Sequence, residues 1–220
     1  MAKPAAQAPA IPGAFDRAAQ HQSKRLALLQ AAAQMFNERG YATASLETVA
    51  TNLHISKAAV YYYFKSKQEI LFECYQMSFD VWDAALEAAH LEGRTGRDKL
   101  EIYMRRYFEA GIDSLQPLIV IREWEALDPE ARGKIGARRR LLRDQVRDIV
   151  AEGVADGTLA QCDPRIAVTI INAAISWLLR TYRSDGKLPR DKFISEVMGL
   201  LLNGIVPRAK AARAKKAASR

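Results

Sequence analysis

The sequence is poor in the residues that build metal centres and disulfides. It has only two cysteines, Cys74 and Cys162, and three histidines, His21, His54 and His90. Neither cysteine belongs to a Cys-x-x-Cys pair, and no histidine stands at a metal-ligand or catalytic spacing, so we expect no metal site and no cofactor. Two isolated cysteines also fit a reducing compartment better than a disulfide framework.

Long apolar runs are missing as well. No stretch contains the roughly 18 consecutive apolar residues that a membrane-spanning helix needs. Residues 1–21 are rich in Ala and Pro but lack the apolar run of a signal peptide. We therefore expect a cytoplasmic protein with no membrane partner.

Strand signals are almost absent, and apolar residues recur at helical spacing along most of the chain. With 49% hydrophobic residues, the chain can also build a real core. The sequence therefore predicts an all-α fold of nine helices, with no internal repeat. These helices cover about 22–39, 46–53, 57–64, 66–91, 97–114, 117–126, 129–156, 164–183 and 190–205.

Turn and cap signals mark where several of these helices begin and end. Gly40 stands just past the end of the first helix, as a C-terminal stop residue does. Ser45 can cap the second helix, and Ser66-Lys67-Gln68-Glu69 is a capping box at the start of the fourth. Asp128-Pro129 and Asp163-Pro164 each combine an N-cap with a proline in the first turn.

Positive charge is concentrated at two places in a chain whose net charge is +8. Residues 208–220 contain six Lys or Arg and no acid, and residues 22–72 contain six bases and three acids, whereas residues 73–206 are slightly acidic. A basic module on an acidic body is typical of a protein that binds a polyanion with one end. We expect a flexible tail at 1–21, a small basic domain at 22–72 that binds the polyanion, a larger helical domain at 73–206 and a basic, disordered tail at 207–220.

Residues 45–64 predict a short helix, a tight turn and a second short helix rich in aromatic residues. A helix pair of this kind places its second helix in the major groove of DNA. In that helix Val60 and Phe64 are four residues apart and are predicted to face the core. The alternative is that the three tyrosines at 61–63 are half-buried core residues and the flanking lysines merely solvated.

Several short motifs in this region resemble the DNA-binding head of the TetR family of bacterial transcriptional regulators. The resemblance covers about 22–72, and the residues that carry it are Thr48-Val49-Ala50, Ile55-Ser56-Lys57, Val60-Tyr61-Tyr62-Tyr63-Phe64, Lys65-Ser66-Lys67 and Leu71. It implies a homodimer whose two heads read a palindromic DNA operator, with a small-molecule pocket in the larger domain. It also implies an association with the nucleoid through DNA.

Eight residues match the family's DNA-contacting positions: Ser45, Thr48, Lys57, Ala59, Tyr61, Tyr62, Tyr63 and Lys67. Three positions depart from the family pattern. His54 stands in the turn where glycine is usual, and Tyr63 stands where histidine is common. Glu47 occupies a position often held by arginine, so its carboxylate either opposes DNA or accepts a hydrogen bond from a cytosine amine.

The larger domain contains many aromatic residues, which in a helical bundle are either core or the lining of a ligand site. From the resemblance we select as lining candidates Phe79, Tyr103, Tyr107, Phe108 and Trp177. A weaker resemblance links this domain to a subgroup of the family that senses acyl-CoA thioesters. The residues that carry it include Arg122-Glu123-Trp124, the 138–140 arginine run, Glu152-Gly153 and Asp163-Pro164.

A CoA ligand needs cations for its phosphates, which Arg122, Arg138, Arg139 or Arg180 could supply. A solvated helix face is the alternative for the arginine run, and a purely apolar or drug-like effector stays open. The last two helices, about 164–183 and 190–206, have apolar residues on more than one side, which predicts a homodimer interface.

The function predicted from the sequence is a repressor that leaves its operator when a small molecule binds the larger domain. One alternative is an architectural DNA-binding protein without an effector, which would have a filled bundle rather than a cavity. The other is an enzyme with an aromatic pocket. The histidines have no catalytic spacing, and residues 93–99 lack the Gly-Lys-Ser/Thr ending of a phosphate loop.

Overall fold

The computed structural model describes residues 14–112, 123–182, 186 and 188–204. Their secondary structure is entirely helical, which confirms the all-α prediction. The eight α-helices are α1 (Ala14–Arg39), α2 (Leu46–Asn52), α3 (Lys57–Tyr63), α4 (Lys67–Glu92), α5 (Gly96–Ile112), α6 (Pro129–Ala155), α7 (Pro164–Thr181) and α8 (Arg190–Asn203). A 3₁₀ helix at Glu123–Ala126 precedes α6.

The predicted count of nine helices is wrong for the part of the chain that the structure describes. The helix expected at 117–126 is only the four-residue 3₁₀ helix at Glu123–Ala126, and the rest of that stretch lies outside the described residues. Helix α1 also begins at Ala14 rather than near 22. The residues before 22 include good helix formers, such as the two alanines at 18–19. The helix therefore extends back to residue 14, directly after the Pro-Gly pair at 12–13.

The head consists of α1, α2, α3 and the start of α4 around a small apolar core. Val60 and Phe64 of α3 are buried in that core, as predicted, and Phe36 of α1 and Leu71 of α4 are buried with them. Three serines cap the short helices through side-chain oxygens that accept backbone N–H groups: Ser45 for α2, Ser56 for α3 and Ser66 for α4. Each cap satisfies one of the amide groups that a helix start leaves unpaired.

Helix α4 is the element common to the head and the larger domain, which we call the body. Its 26 residues span about 39 Å at 1.5 Å per residue. Near its start Ile70, Leu71 and Cys74 are buried in the head, and farther along Phe79 and Leu86 are buried in the body. Because the helix runs through residue 72 without interruption, the domain boundary there stays a prediction.

The body packs α4, α5, α6, α7 and α8 together through contacts between distant parts of the chain. The backbones of α5 and α6 meet at Gly96 and Gly153, where a Cβ on Gly96 would lie 2.0 Å from the Gly153 nitrogen. Next to this crossing, the Gly96 N–H donates to Asp156 at 2.8 Å and Lys99 pairs with Glu152 at 2.6 Å. The two glycines thus permit a helix approach that any side chain would prevent.

A second set of contacts joins α6 to α4. The Arg138 guanidinium donates to Asp80 and to Asp83, each at 2.6 Å, and lies over the Phe79 ring at 5.5 Å from its centroid.

Among the helices within the described ranges, none is both long and apolar enough to cross a membrane.

Candidate DNA-binding surface and effector cavity

The turn between α2 and α3 is short and hydrogen-bonded. His54 has a φ of 53°, in the left-handed region where glycine is the preferred residue. Its N–H donates to the Thr51 carbonyl at 3.0 Å, and the Ile55 N–H donates to the Ala50 carbonyl at 3.0 Å. Histidine therefore adopts the conformation that the usual glycine would, and α3 begins three residues later, at Lys57.

The exposed face of α3 carries most of the predicted DNA-contacting side chains. Lys57, Tyr61 and Tyr62 are exposed, Tyr62 most of all at 74%. Tyr63 is half-buried, and its ring lies 4.7 Å from the ring of His21 in the first turns of α1. The alternative that these tyrosines are half-buried core residues therefore holds for Tyr63 but not for Tyr61 or Tyr62.

The start of α2 faces the start of α3 through a polar cluster. Glu47 forms an ion pair with Lys57, and the Ser45 hydroxyl donates to the other Glu47 oxygen at 2.5 Å. The hydrogen bond with Lys57, followed by the one from Ser45, lowers the pKa of Glu47 to about 2. The same pair raises the pKa of Lys57. Thr48, next along α2, is half-buried.

Lys67 occupies a different position from the other predicted contacts. Its ammonium group donates to the Tyr41 carbonyl oxygen and lies 4.2 Å from the centroid of the Tyr41 ring, and the Ala42 carbonyl is 3.5 Å away. Lys67 therefore ties the start of α4 to the loop before α2. A contact between this lysine and DNA stays a prediction.

A cavity of about 950 Å³ lies beside the junction of head and body. An aromatic wall, a few small polar side chains and four arginines surround it. Its aromatic residues are Tyr75, Phe79, Trp82, Tyr107, Trp124 and Trp177, its polar residues include Ser78, Thr169, Asn172 and Ser176, and its arginines are Arg39, Arg139, Arg143 and Arg180. Asn37, Glu38 and Gly40, from the end of α1 and the residue after it, complete the side next to the head.

The structure separates the five aromatic lining candidates into two groups. Phe79, Tyr107 and Trp177 line the cavity, with Trp177 63% exposed. Tyr103 and Phe108 are fully buried and do not line it, because they face neighbouring helices on the inner side of α5. Tyr103 still supports the wall, since its hydroxyl lies 3.5 Å from the amide oxygen of the lining residue Asn172. Burial raises the pKa of Tyr107 to about 12.

The arginine candidates divide in the same way. Arg139 and Arg180 line the cavity, whereas Arg138 is held by Asp80 and Asp83, and Arg122 lies outside the described residues. The cavity also includes Arg39 and Arg143, which were not predicted. Arg143 follows Arg139 by four residues on α6, a spacing that places both on one helix face, but Arg39 has no such signal.

Models of two protein families match the chain. Residues 28–74 match the model described as bacterial regulatory proteins, tetR family, and residues 93–205 match the model described as tetracyclin repressor-like, C-terminal domain. The second match alone covers 113 of the 220 residues. This chain belongs to the TetR family of bacterial transcriptional regulators.

Relatives and solved structures agree with the family. The transcriptional repressor KstR2 of Mycolicibacterium smegmatis is 29% identical over 197 residues, which cover 86% of this chain and 94% of that protein. The crystal structure of the TetR family regulator PfmR from Thermus thermophilus has 30% identity and a TM-score of 0.65, over 82% of this chain and 99% of that one.

A third structure, AibR in complex with isovaleryl coenzyme A and operator DNA, shares the fold with a TM-score of 0.69 and 22% identity, over 81% of this chain and 98% of that one. Members of this family bind DNA operators and small-molecule effectors and act as dimers. The protein is thus a DNA-binding transcriptional regulator rather than an enzyme.

Proposed function

We propose that this protein is a homodimeric repressor that leaves a palindromic operator when an acyl-CoA thioester binds the cavity of the body. The observation that carries the proposal is the cavity itself, an aromatic groove of about 950 Å³ with four arginines around it. A volume of this size is near the upper end of ligand pockets, so it suits a large ligand. A filled bundle, as expected for an architectural protein, would have no such space.

The cavity has four arginines and one carboxylate, that of Glu38, around it, and this positive balance favours an anionic ligand. Arg39, Arg139 and Arg180 have no ion pair among the described residues, and Arg143 has only a 3.8 Å contact with Asp144. Unpaired guanidinium groups beside an apolar wall suit a molecule with an apolar part and phosphate groups, because guanidinium binds phosphate through paired hydrogen bonds. The CoA-bound structure of AibR, which has the same fold, supports this choice of ligand.

For DNA, the proposed contacts are those predicted from the sequence: Ser45, Thr48, Lys57, Ala59, Tyr61, Tyr62, Tyr63 and Lys67. The exposure of Lys57, Tyr61 and Tyr62 on one side of α3 supports their part in this set. Lysine and tyrosine side chains on a recognition helix reach phosphates and base edges. Binding to operator DNA would also associate the protein with the bacterial nucleoid, in the cytoplasm.

The proposed dimer forms through α7 and α8. On α7, Ile166 and Ile170 are each about 60% exposed and lie on one face, because a spacing of four residues is close to one helical turn. Leu200 on α8 is also exposed. Burying such a stripe in a symmetric four-helix interface would contribute roughly 1.5–3 kcal/mol for each large side chain.

Coupling between ligand and DNA follows from where the cavity lies. Its lining includes Arg39 and Gly40 at the end of α1, and Tyr75 and Phe79 on α4, so an occupant touches both the head and the body. We propose that the ligand moves α5 and, through α4, separates the two heads. Release requires that the ligand binds the separated arrangement more tightly than the arrangement that fits the operator.

The test begins with a mobility-shift assay using the DNA upstream of the protein's own gene and a panel of acyl-CoA thioesters. We expect a specific protein–DNA complex that dissociates when one class of thioester is added. A specific complex that persists with every thioester of the panel would contradict the CoA proposal. Equal binding to every DNA sequence would contradict operator recognition.

Two variants locate the ligand. Arg143→Ala removes a cavity cation and should weaken the effector response about tenfold or more, equivalent to about 1.4 kcal/mol, while binding to DNA alone is unchanged. Arg147→Ala is the matched control, since Arg147 lies one turn farther along α6 and pairs with Asp144 and Asp148 outside the cavity. Equal responses from the two variants would exclude a phosphate contact at Arg143.

A further inference from the structure

We propose that Glu47 is a specificity-determining residue that weakens binding to unrelated DNA more than binding to the operator, by holding the ammonium group of Lys57. This inference concerns the DNA-binding surface alone and is independent of the effector. Glu47 is not among the eight residues that match the family's DNA-contacting positions, yet it contacts two of them, Ser45 and Lys57.

The geometry shows a built cluster rather than a chance surface pair. One Glu47 oxygen pairs with Lys57 and the other accepts the Ser45 hydroxyl at 2.5 Å, so both oxygens are occupied. The Glu47 N–H in turn donates to the Ser45 Oγ at 3.2 Å, which fixes the start of α2. The Lys57 ammonium also lies 5.9 Å from the centroid of the Tyr61 ring. One carboxylate therefore positions two polar groups of the DNA-binding surface.

In the free head this pairing removes a net positive charge at the start of α3. Binding to unrelated DNA depends almost entirely on phosphate contacts by Lys and Arg. A lysine that must leave a carboxylate before it contacts a phosphate contributes less to such binding. The carboxylate, if it stays exposed beside phosphates, also repels them. Both effects weaken binding to DNA of any sequence.

An operator can offset that cost where a random sequence cannot. In the major groove guanine presents two acceptors, O6 and N7, and cytosine presents one donor, the N4 amino group. A G·C pair at the right place therefore offers an acceptor to Lys57 and a donor to Glu47, so that both members of the pair find new partners. Without that base pair the carboxylate has no donor, which converts a general penalty into discrimination between sequences.

The experiment compares two duplexes of equal length. One is the duplex selected from a random pool by the wild-type dimer, and the other is a scrambled version of it. For Glu47→Gln, we expect binding to the scrambled duplex to strengthen about fivefold or more, with a steeper salt dependence because one more lysine per head contacts a phosphate. Binding to the selected duplex should change by less than twofold, or weaken, so the specificity ratio falls.

The control for net charge is Glu92→Gln. Glu92 pairs with Arg106 at 3.3 Å on the far end of α4, and its side chain is 50% exposed, compared with 57% for Glu47. Glu92→Gln changes the net charge by the same amount without altering the head. Its affinity for both duplexes should therefore equal that of the wild type. An equal gain on both duplexes for Glu47→Gln would overturn the proposal, because it would indicate a general charge effect.

A double-mutant cycle separates action through Lys57 from action by Glu47 alone. In a Lys57→Met background, Glu47→Gln should lower the specificity ratio by less than it does when Lys57 is present, because only the direct effects of the carboxylate on phosphates and on the cytosine amine remain. If Glu47→Gln lowers the ratio equally in both backgrounds, the proposal is wrong. Unchanged thermal unfolding of Glu47→Gln would confirm that the head itself is intact in these measurements.

Discussion

The head and the body are held together in different ways. In the head the polar contacts of Ser45, Ser56 and Ser66 reach backbone groups two or three residues away. In the body, Gly96 contacts Asp156 across 60 residues and Arg138 contacts Asp80 across 58. The head combines these local caps with a few contacts between its helices, such as Lys67 with the Tyr41 carbonyl and Arg25 with Glu73. The polar contacts of the body that are described above all join separate helices.

This difference suits a protein that reads DNA with one part and senses a ligand with the other. The serine caps of the short helices depend on neighbouring residues in the chain and not on the arrangement of the body. A body assembled from contacts between helices, with a cavity among them, can change shape when a ligand occupies that space. The predictions below disturb one region at a time and are ordered by the size of the effect expected.

The largest effect is expected at the crossing of α5 and α6. In Gly96→Ala the new Cβ would lie 2.0 Å from the Gly153 nitrogen and 2.3 Å from its Cα, so the helices must separate. We expect a loss of about 3 kcal/mol in the free energy of unfolding, measured by urea denaturation. Gly133→Ala is the control, since nothing lies within 4 Å of its Cβ, and it should stabilise by about 1 kcal/mol. A Gly96→Ala variant as stable as the wild type would contradict this close approach of the α5 and α6 backbones.

The next effect concerns the contact between α4 and α6. Arg138→Met removes two ion pairs at 2.6 Å from a guanidinium that is 26% exposed. We expect a loss of about 1–2 kcal/mol in unfolding free energy, smaller at high salt because the two aspartates are largely solvated. DNA binding without effector should stay within twofold, while the effector concentration needed for release shifts. Arg138→Lys retains the charge but cannot reach both carboxylates as a fork, so an intermediate result is expected.

A smaller effect is expected within the head. Ser56→Ala removes the oxygen that accepts the Ala59 N–H at 3.1 Å and so caps α3. The head should lose about 1 kcal/mol of stability, and operator affinity should fall, because Lys57 and Ala59 lie in the first turn of that helix. Ser195→Ala, at an exposed interior position of α8, should leave operator affinity unchanged. If both serine variants bind operator like the wild type, local capping does not set the position of α3.

The smallest effect is expected in the turn before α3. His54 has a φ of 53°, which costs an L-residue more than it costs glycine, although glycine loses more entropy on folding. His54→Gly should therefore stabilise by only about 0.5 kcal/mol in thermal unfolding. Asn52→Gly, at the last residue of α2, should destabilise by a similar amount. A destabilised His54→Gly variant would indicate that the imidazole makes a contribution beyond backbone conformation.

Local signals made much of the fold predictable. The caps at Ser45, Ser66, Asp128 and Asp163 are all confirmed, because an N-cap depends on residues only two or three positions away. The burial of Val60 and Phe64 followed from helical spacing for the same reason. Whether each proposed contact residue binds DNA or ligand stays a prediction.

What the sequence could not indicate depends on how distant segments meet. Tyr103 and Tyr107 are both tyrosines on α5. The packing of α5 against its neighbours buries Tyr103 and leaves Tyr107 in the wall of the cavity. Arg39 reaches the cavity because the end of α1 lies beside the body, which no pattern within α1 reveals. The pairing of Glu47 with Lys57 likewise requires the angle that the turn at His54 imposes.

Helix α4 has a mechanical consequence of its own. It is one uninterrupted rod of about 39 Å, anchored in the head core by Leu71 and against the cavity by Phe79 and Trp82. Because a helix without a break has no joint at which to absorb a tilt, a rotation of about 5° at one end displaces the other by ~3 Å. That displacement is comparable to the rise of one base pair in DNA, so a small change in the cavity is enough to misalign two heads on a fixed operator.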